Sequence, residues 1–126
     1  MAGSKKILLI EDDVMIRELY RTTLVNSQHI VEMAENSDEV FRKLQSVHPD
    51  IILLDVMLPG LSGLDILKEL RTNPIHGCQQ TKIILLTNLA QRSVTDSAIE
   101  SGADGYIIKS DILPTDLPVI ISSLEE

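Results

Sequence analysis

Apolar residues fall along the chain in two alternating patterns. Short apolar runs, Ile7 to Ile10, Ile30 to Ala34, Ile51 to Leu54, Ile83 to Leu86 and Tyr106 to Ile108, are separated by longer stretches whose apolar positions recur with helical spacing. Runs rich in Ile and Leu without polar alternation suit strands covered on both faces, as in a parallel sheet whose crossovers are helices. The pattern therefore predicts a fivefold βα alternation, with the middle three runs buried most deeply.

Helix boundaries can be read from capping residues. Asp13 is placed to cap a helix carrying Ile16, Leu19, Tyr20 and Leu24 on one face, and Asn36 a second carrying Val40, Phe41, Leu44 and Val47. Ser62 with Asp65 resembles a capping box ahead of a helix bearing Leu64, Leu67 and Leu70, with Pro74 beyond its end. A fourth helix is predicted over Gln91 to Ser101, closed by Gly102 at the left-handed position after its end. The last begins near Pro114. Because the Pro118 ring would clash with the carbonyl one turn back, its regular part is expected to start only at Asp116. Thr72 to Thr81, with its Asn, Pro and Gly, reads as a plain surface connector.

Composition narrows the function classes. At 126 residues and 44% hydrophobic content, one domain is expected over residues 1–126, with residues 1–5 a disordered or vector-derived leader. A formal net charge of -8 argues against direct binding of nucleic acid or an anionic membrane, which needs clustered Lys and Arg, and so favours protein partners. No apolar segment suits a signal peptide or a membrane span, and the single cysteine, Cys78, fits a reducing cytoplasm. His76 and Cys78 are too few ligands for a metal site in a loop.

The chemistry lies in the residues that follow the strands. Glu11, Asp12 and Asp13 follow the first run, Asp55 the third, Thr87 the fourth and Lys109 the fifth. Right-handed crossovers bring the carboxyl ends of parallel strands to one edge, and ligands bind there where the strand order reverses. With the order 2-1-3-4-5, the acidic cluster and Asp55 face each other across that crevice. Converging carboxylates raise each other's pKa unless a divalent cation neutralises them. Oxygen donors suit Mg²⁺, which takes one or two carboxylates plus a phosphoryl oxygen. Lys109 offers a point charge and Thr87 a hydroxyl to the other phosphoryl oxygens, and Asp55 is the best-placed nucleophile for an acyl phosphate.

In order and spacing these positions resemble the receiver domains of two-component response regulators, the CheY-like family, over nearly the whole chain. The residues that carry the resemblance are Glu11 and Asp12, then Asp55 with Pro59, Gly60 and Gly63, then Thr87 and Lys109. The resemblance implies a flavodoxin-like α/β fold, a single doubly wound (βα)5 domain with a five-stranded parallel sheet in the order 2-1-3-4-5. It implies that Asp55 is the phosphoacceptor, and that Asp12, Asp55 and the Met57 backbone carbonyl bind Mg²⁺ directly, with Glu11 acting through water and Mn²⁺ able to substitute. Asp13 is left as a helix cap. Tyr106 would be the switch aromatic, turning inward when Thr87 moves to the phosphoryl group and reshaping the face of the fourth helix, fifth strand and fifth helix. The implied partners are a sensor histidine kinase or histidine phosphotransfer protein, and a downstream protein target or output domain. Such a chain is cytoplasmic and not an enzyme in the ordinary sense, since it catalyses only its own phosphorylation and dephosphorylation.

Three departures qualify the match. Asn88 stands where the family usually has a small residue and is expected to cover part of the site and slow exchange. Ser110 stands where many members have Pro, which removes the expectation of a cis peptide bond. The last helix lacks the basic residue that links dimers in the DNA-binding branch. Other classes fit less well. A flavodoxin-like cofactor carrier would not place Glu-Asp-Asp against a flavin phosphate, and the chain has no Trp, two Tyr and one Phe to stack on the ring. A haloacid-dehalogenase-type phosphatase needs Asp-x-Asp after its first strand, where Glu11 occupies the nucleophile position. A pseudo-receiver serving only as a protein-binding module would typically have lost the acceptor, the acid pair or the Lys, and all three are present.

Overall fold

The apolar runs become strands in the order in which the pattern places them. The computed structural model describes residues 4–88, 96 and 98–124. Strand β1 spans Lys6–Ile10, β2 Ile30–Ala34, β3 Ile51–Asp55, β4 Lys82–Thr87 and β5 Gly105–Ile108. Helix α1 spans Val14–Asn26, α2 Ser37–Lys43 and α3 Gly63–Thr72, and a C-terminal helix covers Leu117–Ser123. Every strand pair is parallel and the sheet order is β2-β1-β3-β4-β5, as the sequence predicts.

Burial follows position in the sheet, not position in the chain. On one face Leu8, Ile10, Ile52, Leu54, Ile83 and Leu85 pack with Val40 and Leu44 and with Ile66, Leu67 and Leu70 of α3. On the other, Ile7, Leu9, Ile51, Leu53, Ile84 and Leu86 pack with Tyr20 and Leu24 of α1 and with Leu117 and Ile121. Successive strand residues thus serve opposite cores, which is why β1, β3 and β4 carry no polar alternation. The expectation that the middle three runs are the deepest is corrected for β2. That strand lies at the sheet edge with Ile30 55% exposed, and β1 takes its place in the interior.

The predicted caps form. Asp13 accepts from the Ile16 N–H at 3.1 Å, Asn36 from Glu39 N–H at 3.0 Å, and Ser62 Oγ from Asp65 N–H at 3.3 Å. Helix α2 ends at Lys43, short of the predicted Val47, and Leu44 to Ser46 continue as turns. Pro49 disfavours helical backbone just ahead of it. The start of the predicted fourth helix lies outside the described residues, while Asp96 and residues 98–100 are helical and Gly102 follows with φ +115°. At the C-terminus Pro114–Asp116 forms a 3₁₀ turn and regular helix begins at Leu117, so Pro118 sits in the first turn, where no amide donor is needed. Within the expected leader, Ser4 Oγ donates to the Gln28 carbonyl and the Lys5 N–H to His29 Nδ1.

The connector after α3 is more firmly held than its composition suggests. Arg71 donates from Nε to the Gly102 carbonyl, from Nη1 to the Cys78 and Thr81 carbonyls and from Nη2 to Asp104, all at 2.7–2.8 Å. One guanidinium therefore ties α3 to the turn that leads into β5. His76 stacks on Phe41 with ring centroids 4.8 Å apart and pairs with Glu69 at 2.8 Å, while the buried Cys78 thiol lies 3.4 Å from the His76 carbonyl. These side chains are engaged with protein groups of α2, α3 and the connector itself.

Candidate functional site

Parallel register brings the predicted residues to one edge of the sheet. Ile10 pairs with Leu54, Asp55 with Leu86 and Thr87 with Ile108, so the ends of β1, β3, β4 and β5 lie side by side. The Glu11 N–H continues the ladder to the Ala34 carbonyl at 3.1 Å and the Val56 N–H to that of Leu86 at 3.0 Å. The strand ends enclose an open cleft of about 580 Å³, lined by Glu11, Asp12, Asp55, Met57, Asn88 and Lys109 among others.

Lys109 joins the acids across three strands. Its Nζ donates to Glu11 Oε1 at 2.6 Å and to Asp55 Oδ2 at 2.9 Å. The second oxygens are held by backbone, Glu11 Oε2 by the Asp13 N–H at 3.2 Å and Asp55 Oδ1 by the Met57 N–H at 3.0 Å. Glu11 is fully buried, Asp55 nearly so, and Asp12 is exposed. Burial, reinforced by the hydrogen bond with Asp55 and opposed by Lys109, pushes the Glu11 carboxyl up from 4.5 to about 7. For Lys109, burial acts downward, but its hydrogen bonds to Glu11 and Asp55 and their charges outweigh it and hold the ammonium above its ordinary value.

One oxygen from each of Glu11, Asp12 and Asp55 lies within 4.8 Å of the others, and they are the one such group among the described residues. The donors are all hard oxygens, the set preferred by Mg²⁺ over softer metals. With all three carboxylates ionised and Lys109 charged, two negative charges remain, the complement of one divalent cation. The donor chemistry and charge therefore fit the expected ion.

Thr87 and Tyr106 stand one layer back. Thr87 is completely buried and its hydroxyl donates to the Asn88 carbonyl at 3.2 Å, not into the acid cluster. Tyr106 is half-buried against the core that β4 and α3 share. Asp13 is the α1 cap, as expected. Met57 is 62% exposed, and its contact with the cluster is the backbone N–H that donates to Asp55. Ser110 follows Lys109 without a cis bond.

Sequence reasoning missed Arg17, whose Nη1 donates to the Glu11 carbonyl at 3.0 Å. The signal was available, because a cation in the first turn of a helix opposes the helix dipole and calls for a local acceptor. The role of Gly63 was legible only as part of a motif. In the structure its α carbon passes so close to the Asp55 carbonyl oxygen that an added Cβ would lie 2.2 Å from it.

Comparison with known proteins agrees with this geometry. A family model described as response regulator receiver domain matches residues 7–122. The transcriptional regulatory protein ResD of Bacillus subtilis is 35% identical over 82% of this chain and 41% of its own length. The chemotaxis protein CheY of Halobacterium salinarum is 27% identical over 98% of this chain and 96% of its own. The chain thus spans about half the length, or slightly less, of the transcriptional regulators it matches. Among solved structures, a response regulator signal receiver domain from Bermanella marisrubri superposes with a TM-score of 0.86 at 31% identity, covering 98% of this chain and 100% of that one.

Proposed function

The chain belongs to the response regulator receiver domain family, and from that premise we propose that it is a phosphorylation switch in which Asp55 takes a phosphoryl group from a phosphohistidine. The donor is a sensor histidine kinase or a histidine phosphotransfer protein. A carboxylate oxygen of Asp55 bonds to phosphorus as the P–N bond breaks, and the imidazole leaves with the electron pair. The observation that carries this reading is the Lys109 bridge between buried Glu11 and Asp55, which aims a cation at the nucleophile from the neighbouring strand ends. Asp55 is oriented besides by the Met57 N–H.

Asp12, Asp55 and the Met57 carbonyl would hold Mg²⁺ directly, with Glu11 acting through water. The bound ion would neutralise charge gathering on the phosphoryl oxygens. Lys109 would add its own positive charge, and Asn88, which lines the same cleft, would cover part of the site and slow exchange. The chain in this reading acts on no substrate but itself. Thr87 couples the site to Tyr106, and the output is a change of the face around β5 and the C-terminal helix, read by a downstream protein or an attached output domain. Among the described residues no helix is long and apolar enough to cross a membrane, and the reading places the switch in the cytoplasm.

The test uses a small phosphodonor with Mg²⁺ and intact-mass measurement. The wild type is expected to gain about one phosphoryl mass, and Asp55→Asn to gain none while keeping its circular dichroism. Labelling that persists in Asp55→Asn would move the nucleophile elsewhere. Thr87→Ala should still take up beryllofluoride yet show much smaller NMR shifts over Gly105 to Ile108 than the wild type. A full response in that variant would sink the Thr87 to Tyr106 coupling.

A further inference from the structure

Glu11 is held on four sides, and one of its holders lies outside the acid cluster. Its N–H bonds to Ala34, its two carboxylate oxygens take Lys109 and the Asp13 N–H, and its carbonyl oxygen accepts from Arg17 Nη1 at 3.0 Å. The Arg17 side chain is 15% exposed, and the same Nη1 lies 3.3 Å from Glu35 Oε2, just beyond β2. Helix-dipole energetics disfavour this cation in the first turn of α1, so its position is set by these two acceptors.

The consequence falls on Asp12. The Glu11 carbonyl belongs to the rigid peptide plane entering Asp12, and the Asp13 N–H to the plane leaving it. Arg17 fixes the first plane and Glu11 Oε2 the second. Both backbone torsions of Asp12 are thereby framed, and with them the direction of its Cβ. Among the described residues no hydrogen bond holds the exposed Asp12 carboxylate itself, so this frame alone aims it.

Resting on the Mg²⁺ reading above, we propose that Arg17 is a positioning residue for the divalent-cation site, acting through the Glu11–Asp12 peptide. The sign of its effect separates positioning from plain charge. Removing a cation from the neighbourhood of three carboxylates would, by Coulomb's law alone, tighten Mg²⁺ binding. Loss of the frame loosens it.

The experiment is Mg²⁺ titration, by calorimetry and by NMR, of the wild type, Arg17→Met, Arg17→Lys and Glu35→Gln. Arg17→Met keeps the apolar stem and should raise the Kd about tenfold, the lower end of what supporting residues contribute at metal sites. Arg17→Lys should recover part of the affinity, because an ammonium on a flexible stem keeps the charge but holds the two acceptors of Nη1 less firmly than the planar guanidinium does. In the metal-free spectra of Arg17→Met the Asp12 and Asp13 amides should shift. A Kd for Arg17→Met equal to or below that of the wild type overturns the proposal. If that variant does not fold, Arg17→Lys and Glu35→Gln carry the same prediction with smaller losses, and unchanged affinity in both overturns it. A wild type that binds no Mg²⁺ would bring down the functional reading and this proposal together, whereas binding that the variants leave untouched defeats this proposal alone.

Discussion

Gly63→Ala puts one methyl group between α3 and the end of β3, and the structure says what it meets. The added Cβ would lie 2.2 Å from the Asp55 carbonyl oxygen, 2.8 Å from Val56 Cα and 3.0 Å from the Asp55 carbonyl carbon. All three are backbone atoms, so no side-chain rotation relieves the overlap. Gly63 is also tied to this strand end by its own N–H, which donates to the Val56 carbonyl at 2.9 Å. Restoring ordinary contact requires about 1 Å of separation between the helix start and the strand end. Overpacking commonly costs about 1–3 kcal/mol, and rigid neighbours place this case at the top of that range. The helix-propensity gain of Ala over Gly, about 1 kcal/mol at most, does not cancel it.

The expected outcome is a melting temperature lower by about 10 °C for a domain of this size. Because the atoms displaced belong to Asp55 itself, phosphorylation by a small phosphodonor should also slow about tenfold or more at temperatures where the variant is folded. Gly60→Ala is the comparison. There φ is +78° with nothing within 4 Å of the added Cβ, so only backbone strain of about 1–2 kcal/mol is expected, with little change in phosphorylation. Thermal unfolding followed by circular dichroism, paired with mass-resolved phosphorylation rates, decides it. Should Gly63→Ala melt within about 2 °C of the wild type and label at the wild-type rate, the close approach of α3 to Asp55 would be wrong.

Two further outcomes follow from the acid cluster. Asp12→Asn should weaken Mg²⁺ strongly in calorimetry whereas Asp13→Asn should not, and Asp13→Ala should cost about 1 kcal/mol of stability as a lost cap; equal Mg²⁺ losses at the two Asn variants would contradict the capping role. The Glu11 carboxyl, raised from 4.5 to about 7, keeps its proton in the folded metal-free protein over an interval where the unfolded chain has lost it. The stability it contributes is therefore present below about pH 4.5 and lost as pH rises through about 7. In urea unfolding with a chelator, Glu11→Gln should gain on the wild type between pH 5 and pH 8 by up to about 3 kcal/mol, and parallel curves would refute the buried-carboxyl account.

The sheet was legible because two-sided burial leaves so plain a mark. Strands β1, β3 and β4 keep apolar residues through their interiors, and polar residues appear only towards their ends, Asp55 and Thr87 at the edge that carries the candidate site. Caps were legible for the same local reason, since Asp13, Asn36 and Ser62 each satisfy an amide three residues on. What escaped was set by contacts distant in sequence. The edge position of β2 depends on strand order, which no run of five residues contains. Arg71 looks like any surface cation of a helix until four carbonyl and carboxylate groups from residues 78–104 gather round it. Arg17 reads as an exposed member of α1, yet its acceptors are the carbonyl of Glu11, just past β1, and a side chain beyond β2.

The same geometry shows how protein groups satisfy the polar atoms of so costly a site. Burying a carboxylate with no partner is strongly unfavourable, and a buried ion pair often only breaks even. Here Glu11 and Asp55 each give one oxygen to Lys109 and the other to a backbone N–H of the loop that follows their strand. The amides come from loops whose course is set independently, by the Asp13 cap on one side and by the approach of Gly63 on the other. Protein groups thus satisfy the two buried acids, and the third, Asp12, is left facing solvent with its direction fixed only by backbone. In the proposed reaction an incoming phosphoryl group would meet net negative charge at this cluster, which a divalent cation would offset.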